Sequence, residues 1–210
     1  MPIINDFFPS IPTKLAVWSI EESMDELRSY VPKSIVQSEE LSLRKTDGGK
    51  KGYIAARIAV KSLGISLTDL SFTKQGEPQL PNGFCSLSHC QDYAAAVVGQ
   101  NPIGVDVEAH REKIVRIASK FVHVNEYPFI LPKDEIVLLT RLWTAKEAVY
   151  KAMHHPGLAL ATQIEVAPFS LTDVTGEAKV YLADKTHRFS LQFSTFKAHQ
   201  LSIAQLITSK

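Results

Sequence analysis

The chain has few of the features that mark secretion, membrane insertion or nucleic-acid binding. It contains only two cysteines, Cys85 and Cys90, among 210 residues. With His89 between them they hint at a metal cluster, but no second Cys or His pair stands at a zinc-ligand spacing. Reduced, partly buried thiols are therefore expected. No apolar run approaches membrane-spanning length. Residues 1–12, with Asp6 and several prolines, lack the basic and then apolar pattern of a secretory leader, so a cytoplasmic protein is expected. Excess charge of one sign is missing too, since 23 basic residues face 22 acidic ones for a net charge of +1. That balance supplies no global field to draw the chain to nucleic acid or a membrane. No glycine-rich phosphate loop of the Walker type is found.

What is there is ordinary in bulk and specific in two places. Apolar residues make up 45% and charged ones 21%, enough for one large domain or two small ones. Strands are expected at 14–19, 84–88, 93–98 and 103–108, the last three in close succession. A polar helix is expected over 21–30, and a helix starting at 38 should be broken or looped at Asp47-Gly48-Gly49. An amphipathic helix follows over 50–63, ended by Gly64. Further on, helices are expected at 114–122 and, as the longest, at 133–153, stopped by His154-His155-Pro156-Gly157. Segments 179–183, 188–193 and 201–207 alternate apolar and polar residues and read as an antiparallel meander. Helix-then-strands thus occurs twice.

The first specific place is Ile103-Gly104-Val105-Asp106-Val107-Glu108. Alternate strand residues share a side, so Asp106 and Glu108 project together from an apolar strand. A carboxylate pair in such a setting is costly unless a cation or donors compensate it. The plain alternative is a strand end reaching solvent. The second place is Trp143-Thr144-Ala145-Lys146-Glu147-Ala148-Val149-Tyr150-Lys151. Glu147 and Lys151 stand four apart and stack on one helix face, an arrangement common on solvated helices. Trp143, on nearly the same line, argues instead for a face opening into a pocket. Together the two stretches supply three carboxylates for a hard divalent cation and an ammonium for a phosphate.

The pair of motifs, in this order and with Glu147 41 positions after Asp106, resembles the signature of the 4′-phosphopantetheinyl transferases. The resemblance runs from about Lys50 to Lys151. It implies a metal held by Asp106, Glu108 and Glu147, with Mg²⁺ as the cofactor. Glu147 would serve as general base, and Lys151 would act on the phosphate. Leu87-Ser88-His89 resembles the family's Ser-His motif, whose histidine meets the 3′-phosphate of coenzyme A. Adjacent strand residues point to opposite sides, so His89 is badly placed to activate Ser88 as a nucleophile. Lys50-Lys51 and Ala55-Ala56-Arg57 resemble the basic, helix-borne coenzyme A region, and Lys146 occupies another coenzyme A position. The coenzyme A contacts so implied are Lys51, Arg57, Ser88, His89, Lys146 and Lys151. One departure is Gly76-Glu77-Pro78, where many relatives have Gly-Lys-Pro; Lys74 is the nearest substitute.

The longer members of this family, activators of peptide and polyketide synthases, are pseudo-dimers. The resemblance therefore implies an α/β (α+β) fold of two similar halves, each a helix on a mostly antiparallel sheet. Residues 1–102 would contribute to coenzyme A binding and residues 103–210 would carry the metal and catalytic motifs. The implied activity is transfer of phosphopantetheine from coenzyme A to a serine of an apo acyl or peptidyl carrier protein. A monomer without nucleic-acid or membrane partners is expected. A non-catalytic coenzyme A or carrier-binding module, or another Mg²⁺-dependent phosphotransferase, are the alternatives.

Overall fold

The computed structural model describes residues 13–183 and 185–207. Residues 1–12, read above as lacking a leader pattern, lie outside them. The chain divides into two compact units, Met1–Gln100 and Asn101–Lys210.

In the first unit, β1 (Lys14–Ser19) is followed by α1 (Met24–Ser29), α2 (Lys33–Val36), α3 (Glu39–Ser42) and α4 (Asp47–Ser62). Then come β2 (Ser71–Phe72), β3 (Pro78–Gln79), β4 (Phe84–His89) and β5 (Tyr93–Gly99). Helix α1 begins at a capping box in which the Ser23 and Glu26 side chains satisfy each other's backbone N–H groups. Asp47-Gly48-Gly49 forms the first turn of α4 rather than the expected break. The Thr46 hydroxyl accepts from the Gly49 N–H, and this cap outweighs the poor helix propensity of two glycines. The antiparallel sheet runs β1-β5-β4. Its centre is rich in alanine, and Ala94 and Ala96 share a core with Ala55, Ala56 and Ala59 of α4. Small residues on both surfaces let the helix lie close to the sheet.

The second unit opens with β6 (Ile103–Ala109) and α5 (Lys113–Ile117), shorter than the expected helix and prolonged by a 3₁₀ turn at Ala118–Lys120. After α6 (Glu135–Met153) and α7 (Leu160–Gln163) come β7 (Ile164–Val166), β8 (Thr175–Tyr181), β9 (Thr186–Phe196) and β10 (His199–Leu206). Helix α6 ends with His154 in the left-handed conformation at φ 48°. The sheet order is β6-β10-β9-β8-β7, antiparallel throughout its pairs. Strand β6 therefore does not continue the β4–β5 meander; it pairs with the last strand, Asp106 opposite Ser202.

Each unit thus follows one plan: a first strand, a long helix, and a meander whose last strand returns beside the first. The expected mixed fold of helices on antiparallel sheets is observed. Among the described residues, no helix is long and apolar enough to cross a membrane. Cys85 and Cys90 are both buried and, among the described residues, form no disulfide; burial pushes the Cys85 thiol up to about 12.

Candidate active site

Gly104 makes the centre of the second unit possible. A Cβ there would lie 1.9 Å from the Ala148 carbonyl oxygen and 2.8 Å from the Ala152 nitrogen, so the backbones of β6 and α6 all but touch. A glycine inside a strand commonly marks such an approach. Asp106 shares the Gly104 face, two residues on, and is brought against the next part of the helix. Ser202, its cross-strand neighbour, bonds the Thr144 hydroxyl at 2.7 Å and tethers β10 to the same helix.

The Lys151 ammonium donates to Asp106 Oδ1 at 2.8 Å and to the Val105 carbonyl at 3.0 Å. Asp106 is buried, whereas the Lys151 side chain keeps 27% of its surface exposed and can be reached from solvent. Burial pushes the Glu147 carboxyl up to about 7, and the negative charges of Asp106 and Glu108 add to this against the attraction of Lys151. Glu108 is raised for the same reasons, burial first and Asp106 second, with Lys113, Arg111 and Lys151 opposing. The three carboxylates and Lys151 therefore form one electrostatic group. Yet among the described residues no three His, Cys, Asp or Glu side chains already converge as a cation site. Beside the group, a pocket of about 70 Å³ is lined by Glu108, Arg111, Lys113, Ile114 and Trp143, among others. Trp143, placed by sequence on the charged line of the helix, packs edge-on against Phe121 at 5.1 Å.

Lys146 requires a correction. Its side chain is 0% exposed, and its ammonium donates to the carbonyls of Phe121, Leu160 and Ile164 at 2.7, 3.0 and 2.7 Å. The Glu126 carboxylate, also 0% exposed, completes the shell at 2.8 Å. An ammonium so enclosed has no surface left for coenzyme A, because its three donors are already committed. Sequence reasoning missed Glu126 altogether; it stands in a segment with no regular pattern.

In the first unit, Leu87 and His89 face α4, and His89 lies against Gly52: a Cβ on that glycine would meet His89 Nδ1 at 2.4 Å. Ser88 is buried with the opposite orientation of the strand. Arg57, on α4, is buried with its guanidinium 3.3 Å from the Tyr53 ring centroid and 4.8 Å from that of Phe72. It donates to the Tyr53 carbonyl, and burial brings it down to about 10. Lys51 donates to the Glu22 carbonyl at 2.6 Å. Gly52 was not singled out from sequence, although a glycine inside a helical pattern carries that signal.

Comparison with known proteins identifies a family. The model of the 4'-phosphopantetheinyl transferase superfamily matches residues 102–206, half of the chain, and that of the 4'-phosphopantetheinyl transferase N-terminal domain matches residues 50–99. The chain belongs to the 4'-phosphopantetheinyl transferase superfamily. Among individual proteins it is 25% identical over 142 residues to 4'-phosphopantetheinyl transferase ffp of Bacillus subtilis, covering 62% of this chain and 63% of that one. It is 33% identical over 113 residues to enterobactin synthase component D of Salmonella typhimurium (48% and 45%). With 4'-phosphopantetheinyl transferase PptT of Mycobacterium tuberculosis it shares 35% over 109 residues, 46% of each. The chain spans less than two thirds of the length of these curated relatives.

Proposed function

We propose that the chain is an active 4′-phosphopantetheinyl transferase, moving phosphopantetheine from coenzyme A to a serine of an apo acyl or peptidyl carrier protein. The observation that carries this reading is the group of Asp106, Glu108, Glu147 and Lys151 held by the Gly104 contact. The donor set fits Mg²⁺: three carboxylates are hard oxygen ligands, and their mutual repulsion is what a divalent cation relieves. Asp106, Glu108 and Glu147 would hold it. When bound, the ion would supply positive charge beside the pyrophosphate of coenzyme A.

The rest of the chemistry falls to the chain's own groups. The carrier serine oxygen forms a bond to the β-phosphorus as the bond from that phosphorus to the departing adenosine 3′,5′-bisphosphate oxygen breaks. Glu147 accepts the serine proton as general base. Lys151 steadies the charge gathering on the phosphate oxygens and returns a proton to the leaving group. His89, Arg57 and Lys51 are the proposed contacts for the nucleotide end of coenzyme A, with His89 at the 3′-phosphate; Ser88 is retained as an accessory contact. The protein is proposed to act as a monomer in the cytoplasm.

The test is intact-protein mass spectrometry of candidate apo carriers incubated with the chain, coenzyme A and Mg²⁺. Addition of one phosphopantetheine to a serine is expected. No addition to any acyl or peptidyl carrier, by a folded protein, sinks the reading.

A further inference from the structure

We propose that the buried Lys146–Glu126 pair is a positioning device that fixes the rotation and height of α6, and through it Glu147 and Lys151. The proposal rests on the transferase reading above.

The argument begins with direction. At 3.6 residues per turn, Lys146 lies about 160° around the helix from Ala148, the residue pressed on Gly104. The helix is therefore held on one side by a backbone contact too tight for a methyl group, and on nearly the opposite side by the ammonium cage. Glu147 and Lys151 occupy the flank between.

The cage ties together pieces that share no ladder. Lys146 holds the carbonyls of Phe121, Leu160 and Ile164, from the link after α5, from α7 and from the start of β7. Glu126 accepts from the His123 N–H at 2.6 Å and from the Val166 N–H at 2.8 Å. Burial pushes Glu126 up and Lys146 down, each offset by the charge of the other. An apolar side chain would fill this space with less desolvation, and a merely packed helix could slide or roll by small steps. An ammonium among four oxygens cannot, because leaving them strands a buried charge. Rolling α6 to carry Lys151 away from Asp106 would have to pull Lys146 out of its cage. The lysine that the motif offers as a coenzyme A contact thus serves the reaction from inside the core.

Two variants test this: Lys146→Met with Glu126→Gln, which removes both charges and leaves none unpaired, and Glu126→Gln alone, which keeps shape and hydrogen-bonding capacity. In the double variant kcat should fall at least about tenfold while the KM for coenzyme A stays within about threefold, the signature of misplaced transition-state groups. Without any substrate, amides of residues 147–151 should exchange about tenfold faster than in the parent protein. Glu126→Gln should show the same pattern more weakly. A folded double variant with parental kcat and parental exchange overturns the proposal. A KM for coenzyme A raised tenfold at unchanged kcat also overturns it, by making Lys146 a direct contact. Loss of fold in both variants assigns the pair to stability alone and overturns it likewise. If the parent protein transfers nothing, the functional reading fails, while the exchange measurement still decides the positioning.

Discussion

The two units are built on one plan and carry different charged groups beside their helices. In each, a long helix lies on an antiparallel sheet whose first strand pairs with its last. In each, one glycine leaves room at a helix–strand contact: Gly52 for the His89 ring in the first unit, Gly104 for the α6 backbone in the second. The first carries Lys51, Arg57 and His89 on or against its helix; the second carries Asp106, Glu108 and Glu147. The common frame supplies proximity, and the side chains beside each glycine set the local charge.

The glycines also differ in what they touch, and this gives the largest expected effect. At Gly104 an added methyl meets backbone at 1.9 Å, which cannot move without parting β6 from α6. Gly104→Ala should lower stability by about 3 kcal/mol or more and abolish transfer. At Gly52 the methyl meets the His89 ring, a side chain and not backbone. Gly52→Ala should cost roughly 1 kcal/mol, with the functional loss confined to coenzyme A binding. Thermal unfolding with KM measurements decides it; equal destabilisation by both would break the contrast.

Next in size come the charged groups of the second unit. Asp106→Ala, Glu147→Ala and Lys151→Ala should each lower kcat at least about 100-fold with folding retained, a loss near 3 kcal/mol of transition-state stabilisation. Lys151→Arg should rescue poorly, since a guanidinium keeps charge but cannot readily give up a proton. Circular dichroism and steady-state kinetics on a fixed apo carrier test this. Full activity of folded Asp106→Ala in the presence of a chelator would remove the cation from the mechanism.

The first unit should answer differently, through substrate identity instead of turnover. His89→Ala should weaken use of coenzyme A by about 1–3 kcal/mol while leaving dephospho-coenzyme A nearly untouched. Equal losses with both donors would make His89 a packing residue against Gly52.

Sequence made the shared faces of the charged groups legible but not what orients them. Glu147 and Lys151 share a helix face by spacing alone, and Asp106 and Glu108 share a strand face by alternation. Lys146 was misassigned because spacing gives a direction around a helix but not what lies there. Its partner Glu126 comes from an irregular segment 20 positions earlier, and three of its acceptors are backbone carbonyls, which no side-chain pattern encodes. The pairing of β6 with β10 was hidden similarly: β4 and β5 are nearer in sequence, and only the closed plan of the second unit selects the distant strand. Strand β7 spans three residues, too few for alternation to register.

A last contrast separates the units by pH. Glu147 has a folded pKa of about 7, above its ordinary 4.5, because burial and then Asp106 disfavour its charged form. The folded chain therefore binds this proton more tightly than the unfolded chain does. The associated stability is complete below about pH 4.5 and is lost as pH rises through about 7. In metal-free protein this loss should amount to roughly 1–3 kcal/mol, after allowing for the partial solvent access of the group. Glu147→Gln, uncharged at every pH, should lack it, so the difference in stability between parent and variant should shift in the variant's favour between pH 4.5 and 7.5. Adding Mg²⁺ above pH 7 should restabilise the parent and leave the variant less affected, because the cation compensates the charge that burial penalises. His89→Ala and Gly52→Ala, in the other unit, should follow the parental pH trend. Denaturant unfolding at stepped pH, with and without Mg²⁺, measures all four; a parent–Gln difference that is flat with pH would place Glu147 in contact with water instead of among the buried carboxylates.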